Sequence, residues 1–265
     1  MELLNETLAA TKRAGRSALI AYLPAGFPTV ETGISAMRAV LDAGADILEV
    51  GLPHSDPILD GPVIQTAADI ALRGGTRIKD VLRTVAEVHR ATGKPVLVMT
   101  YWNPFSRYGI QRFARELAEA GAAGCVLPDL PVQESAQWRE QAAAHGLASV
   151  FVVAPSTGTE RLHEITAAAT GFVYAAALMG VTGAGGSIGE AAGILVERTR
   201  ATTDLPVCVG IGISSGAQAA AVAGFADGVI VGSALVQAVL DAPDEPGARA
   251  AVQALTSSLA TAVRR

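Results

Sequence analysis

Eight short runs that are apolar on both faces recur along the chain, at 18–23, 47–51, 96–100, 124–127, 149–153, 172–176, 207–210 and 228–231. A strand with one wet face alternates polar and apolar residues, whereas a strand apolar throughout must be covered on both sides. Amphipathic segments with helical spacing lie between them, at 30–43, 110–120, 134–145, 160–169 and 217–223. Strands that alternate with helices build βαβ units and a parallel sheet. Eight units with no long linker predict closure into a (β/α)8 TIM barrel, for which about 250 residues is the usual size. Residues 1–265 are expected to form that barrel as a single domain, with an extra amphipathic helix in the first fourteen residues.

Many strands are announced alike. Ala43-Gly44-Ala45-Asp46 precedes the second run, Ala120-Gly121-Ala122-Ala123 the fourth, and Ala223-Gly224-Phe225-Ala226-Asp227 the last. The glycine is expected to close the preceding helix in the left-handed conformation. Half the residues are hydrophobic but only 5% are aromatic, so Ala, Val, Leu and Ile must fill the core. Cys125 and Cys208 fall inside apolar runs and read as buried free thiols. A net charge of -5 without a basic run argues against a nucleic-acid or anionic-membrane surface. The apolar run at 18–23 is too short for a membrane span. The chain is expected to be cytoplasmic.

In such a barrel the chemistry sits at the C-terminal ends of the strands. The second run carries Glu49 among Ile47, Leu48 and Val50, then enters a loop containing Pro53, Asp56, Pro57 and Asp60. If Leu48 and Val50 face the helices, alternation turns Glu49 into the barrel. A carboxyl in an apolar wall has a raised pKa and can transfer protons near neutrality. The alternative is a structural carboxylate paired with an arginine or a backbone donor. Asp56 before Pro and Asp60 before Gly are ordinary turn formers, but Asp60 shares a rim with Glu49. His54-Ser55-Asp56 holds the residue types of a hydrolase triad. Neighbours in an extended loop diverge, however, so the required convergence is not expected.

The seventh run enters Gly210-Ile211-Gly212-Ile213-Ser214, and the eighth enters Gly232-Ser233-Ala234; each opens a helix. Glycine loops at these two positions suit a phosphate, held by backbone N–H groups and a helix dipole. The sixth run leads into Gly180–Gly189, whose glycine density is expected to form a lid. The three lysines, Lys12, Lys79 and Lys94, avoid the C-terminal strand ends, which excludes a Schiff-base aldolase. The four histidines are scattered, and no metal-ligand cluster is visible. Carboxylate acid–base chemistry on a phosphorylated substrate remains.

The stretch from Glu49 through Asp56 and Asp60 to Gln65 strongly resembles the signature of the tryptophan synthase α-subunit family. Tyr22-Leu23-Pro24-Ala25-Gly26-Phe27-Pro28, Met99-Thr100-Tyr101-Trp102-Asn103-Pro104 and Leu127-Pro128-Asp129-Leu130-Pro131 match in family order. So do Gly180-Val181-Thr182-Gly183 and Gly210-Ile211-Gly212-Ile213-Ser214. The resemblance implies retro-aldol cleavage of indole-3-glycerol phosphate to indole and glyceraldehyde 3-phosphate. Glu49 then corresponds to the acid/base that protonates indole C3 and assists the glycerol hydroxyl. Asp60 corresponds to the carboxylate that takes the indole N–H and stabilises the cationic intermediate, staying ionised on a more polar loop.

By the same resemblance Tyr174 lies near Glu49, while Tyr22, Tyr101, Asp129 and Ile211 surround the indole. Gly183, Gly212, Gly232 and Ser233 form the phosphate cradle, and Thr182 belongs to the lid that closes over Asp60. No cofactor is implied in this chain; pyridoxal phosphate is expected in a β-subunit partner, in an α2β2 complex that receives the indole. One departure is Ala177, where the family commonly has serine; the missing hydroxyl removes a hydrogen bond of about 1 kcal/mol. Two alternatives stay open: a stand-alone lyase that releases free indole, and a weakly catalytic subunit that regulates the β partner.

Overall fold

The computed structural model describes residues 1–176, 188–210 and 212–264. The first strands are β1 (Ala18–Pro24), β2 (Ile47–Gly51), β3 (Val96–Met99), β4 (Gly124–Val126) and β5 (Ala148–Val150). The sheet continues with β6 (Val152–Val153), β7 (Val173–Ala176), β8 (Val207–Gly210) and β9 (Gly228–Val231). They form one parallel sheet in the order β5-β4-β3-β2-β1-β9-β8-β7-β6. Its two ends are one stretch of chain: β5 pairs with β4, β6 pairs with β7, and only Phe151 separates them. The ring therefore closes through the strand expected at 149–153, and the eight expected strands are all present.

The pleat sorts side chains by parity. On β1 and β2, Leu19, Ala21, Leu23, Leu48 and Val50 pack outward with the helix-facing core. Ala18, Ile20 and Ile47 join Leu97, Val126, Val150, Cys208 and Ile230 in a separate inner cluster. Leu4 and Leu8, from the N-terminal helix Glu2–Arg13, belong to this inner cluster and are buried. That helix plugs the end of the barrel where the strands begin, which leaves the opposite end open. Both cysteines are buried and free.

The recurring Ala-Asp before strands has a structural use. Asp46 accepts the Leu19 N–H at 2.9 Å and clamps Arg16 through two 2.7 Å bonds. Asp227 repeats the device, accepting the Val207 N–H at 3.0 Å and holding Arg200 at 2.8 Å. Both ties lie where strands begin. Gly44 and Gly121 take positive φ as expected, but Gly224 is right-handed at φ -60. There the chain bends without a left-handed residue, because the Gly224 N–H still reaches the Ala220 and Ala221 carbonyls. Lys94 donates to the Leu41 and Ala45 carbonyls at 2.6 and 2.7 Å, a cation at a helix C-terminus rather than in a site. Among the described residues no helix is long and apolar enough to cross a membrane.

Candidate active site

A cavity of about 380 Å³ opens at the C-terminal ends of the strands. Tyr22, Tyr174, Asp60, Gly210, Gly212, Gly232 and Ser233 line it, with apolar walls from Ile64, Met99, Val152 and Ile230. A larger cleft of about 480 Å³ lies on the outer helices, among Glu31, Arg38, Arg83 and Arg249. It takes no residue from a strand end, so the first cavity is the candidate site.

Glu49 lies one layer below the rim. Its register partners are Tyr22 on β1 and Leu97 on β3. The side chain is 0% exposed, and among the described residues neither carboxyl oxygen has a hydrogen-bond partner. The structural alternative required an arginine or a backbone donor, and among the described residues none reaches it. Burial alone pushes its pKa from 4.5 to about 8. At neutral pH Glu49 is therefore a protonated carboxylic acid whose proton is committed to nothing else.

Two tyrosines flank this acid. Tyr174 and Tyr22 are both held in their neutral form, chiefly by burial, and the ionised forms of Glu49 and Asp60 reinforce this. Their hydroxyls need the neighbouring strands to be bare. A Cβ on Gly51 would collide with the Tyr22 hydroxyl, and one on Gly210 with that of Tyr174. The two glycines that end β2 and β8 thus make room for the tyrosines that wall the cavity.

Asp60 precedes the helix Pro62–Arg73, at the far end of the proline-bearing loop. It is half-buried, and burial raises its pKa against the opposing pull of Tyr101 and His54. The Tyr101 hydroxyl accepts the Leu59 N–H at 3.1 Å, which sets it beside Asp60, where it favours the charged carboxylate. The same surroundings push the Tyr101 pKa up to about 12, chiefly through burial, so it remains a donor. Asp60 is consequently more shielded than a carboxylate on an open polar loop, and the Tyr101 donor offsets part of that desolvation.

Asp129 stands apart. Its two carboxylate oxygens accept the Trp102 N–H at 2.9 and 3.1 Å. It does not line the cavity. Instead it fixes the start of the helix Trp102–Tyr108 and with it the preceding residue, Tyr101. Its link to the site is thus through Tyr101.

At the far side Gly212 has φ 66 and Gly232 caps the helix Ser233–Leu240. The leading N–H groups of a helix have no intrahelical acceptor, and its dipole favours an anion. Among the described residues no lysine or arginine lines the cavity, so an anion here would rely on these backbone groups. Thr182, Gly183 and Ile211, together with Ala177 and positions 180–187 of the expected lid, lie outside the described residues, whereas its last two positions open the helix Ile188–Arg200. Among those described, no group of three or more His, Cys, Asp or Glu converges to hold a metal ion.

The triad decoy is resolved as expected. Ser55 donates to Asp56 at 2.5 Å on the exposed side of the loop, whereas the His54 ring turns inward against Tyr101. Residue-type reasoning passed over His54 as a site residue. The apolar walls Met99, Val152 and Ile230 were accessible to it, because each shares the inward parity of its strand.

This arrangement has counterparts. Residues 8–264 match the family model described as "Tryptophan synthase alpha chain". The chain is 72% identical over 263 residues to the tryptophan synthase alpha chain of Streptomyces avermitilis, covering 99% of this chain and 95% of that one. It is 70% identical over 264 residues to that of Streptomyces coelicolor, covering 100% and 97%. Among solved structures, aminoacrylate-bound tryptophan synthase from M. tuberculosis superposes with a TM-score of 0.89 at 45% identity, over 99% of both chains. Tryptophan synthase subunit alpha from Legionella pneumophila gives 0.89 at 36% identity, over 98% of both. With its eight-stranded barrel, strand-end cavity and agreement along nearly the full chain, this protein belongs to the tryptophan synthase alpha chain family.

Proposed function

We propose that this chain cleaves indole-3-glycerol phosphate with Glu49 as the proton-transferring group and Asp60 as the partner of the indole N–H. The observation that carries the assignment is the unpaired, protonated Glu49 carboxyl beneath a cavity with Asp60 at its rim and an anion cradle opposite.

The substrate phosphate binds at Gly212, Gly232 and Ser233, and the indole lies between the Tyr22 and Tyr174 walls. Glu49 delivers its proton to indole C3, which places positive charge on the ring nitrogen. Asp60, whose charged form the Tyr101 hydroxyl favours against the effect of burial, receives that N–H and lowers the energy of the cation. The Glu49 carboxylate then takes the proton of the carbinol hydroxyl beside C3. The bond from C3 to that carbinol carbon breaks, its electron pair returns to the indole ring, and the carbinol becomes the aldehyde. Glu49 ends protonated, as it began. The protonated indole acts as the electron sink, the role that an imine plays in lysine-dependent aldolases.

The physiological setting belongs to the same proposal: a cytoplasmic α2β2 complex in which a β subunit holding pyridoxal phosphate consumes the indole. The family membership and the tryptophan synthase structures similar to this chain support it. Indole release by the purified chain, with and without a β subunit, tests the arrangement. Slow turnover that rises with the partner is the expected result. Fast turnover by the chain alone identifies a stand-alone lyase. No turnover in either case, with the β reaction still activated, identifies a regulator.

A further inference from the structure

The loop that carries Asp60 is gripped at both ends by one tyrosine. Near its start, the His54 ring packs on Tyr101 with centroids 5.2 Å apart and planes inclined by 37°. Near its end, the Leu59 N–H donates to the Tyr101 hydroxyl at 3.1 Å, which fixes the backbone next to Asp60 and sets the hydroxyl where it favours that residue's charged form. Between these grips Ser55 and Asp56 are exposed, and Ile58 and Leu59 are 72% and 53% exposed, so they contribute little burial to hold the loop. Tyr101 is itself fixed from the other side, because Asp129 holds the N–H of the next residue. The positive form of His54 also favours the charged form of Asp60.

We propose that His54 is a positioning residue for Asp60: its ring holds the Tyr101 ring in the placement where the tyrosine hydroxyl takes the Leu59 N–H and so fixes the backbone that carries Asp60. An aromatic contact restricts the slide and tilt of both rings. Release of His54 lets Tyr101 rock, and Asp60 moves with it. A carboxylate displaced by a fraction of an ångström from the indole nitrogen stabilises the transition state less, while the phosphate end on the opposite side of the cavity is untouched. The inference rests on the reading of Asp60 as the partner of the indole N–H.

The test compares His54→Ala, His54→Phe and Asp60→Asn in the full chain, alone and with its β partner, by steady-state cleavage and by the affinity for inorganic phosphate. His54→Ala is expected to lower kcat about tenfold, the scale of one lost aromatic contact. Its phosphate affinity should stay within twofold, and His54→Phe, which retains a ring, should recover kcat to within about threefold. Wild-type kcat in His54→Ala, with Asp60→Asn inactive, overturns the positioning role alone. An equal loss in His54→Phe and His54→Ala also overturns it, because ring packing is then not what matters. Near-normal cleavage by Asp60→Asn overturns the reading of Asp60, and the positioning role with it.

Discussion

A buried carboxyl with no partner among the described residues is costly to ionise, and in the proposed mechanism that cost is what arms Glu49. With a pKa near 8 it holds its proton in the free enzyme at neutral pH. The proposed mechanism uses that protonated form, so kcat/KM should fall as pH rises through about 8; a pH profile checks this, and a flat profile to pH 9.5 contradicts it. The same shift sets a stability dependence. Between its ordinary pKa of 4.5 and about 8, the folded protein keeps a proton that the unfolded chain has lost, so stability falls as pH rises across that window. Glu49→Gln removes the dependence. Its Tm should exceed that of the parent at pH 8 and converge with it near pH 4.5, by calorimetry. The sequence showed where Glu49 points, since its neighbours' parity turns it inward. It left open whether a partner neutralises the carboxyl, because partners come from other strands. His54 was harder still: beside Ser55 and Asp56 it resembled part of a triad, and only the path of the loop turns its ring toward Tyr101.

Strands and helices were more legible than single side chains, because burial on both faces writes a continuous apolar run. The strand expected at 149–153 proved to be the closing strand of the ring, interrupted at Phe151. What the local pattern lacked were ties between distant segments. Asp129 caps the backbone of Trp102, 27 residues earlier, a pairing that no local spacing reveals. Asp46 likewise links the starts of β1 and β2 through Leu19 and Arg16. Asp46→Ala strips a partly buried ion pair and leaves the Leu19 N–H unsatisfied, which should cost about 2–3 kcal/mol by denaturant unfolding. Since strand starts lie opposite the site, kcat should be unchanged. A change in kcat without loss of stability contradicts that division between the two ends.

At the scale of the whole molecule, the barrel is sealed at one end and open at the other. Leu4 and Leu8 complete the inner cluster from below, beneath Ile47, Leu97 and Cys208. Leu4→Ala should cost about 2–5 kcal/mol by leaving a hole at the base of the ring, with little change in KM; thermal unfolding and kinetics together check this. The open end combines an acid deep in the wall, a carboxylate on the rim and, on the far side, the glycine loops proposed to cradle an anion, with no basic side chain among the described lining residues. That combination suits a substrate with an apolar ring at one end and a phosphate at the other. It is tested most directly by Glu49→Gln, which keeps the shape and removes the transferable proton. The variant should bind inorganic phosphate as tightly as the parent while its cleavage of indole-3-glycerol phosphate falls by at least a thousandfold, roughly the effect of one lost acid–base group. Near-normal cleavage by that variant would contradict the assignment of Glu49 and the mechanism built on it.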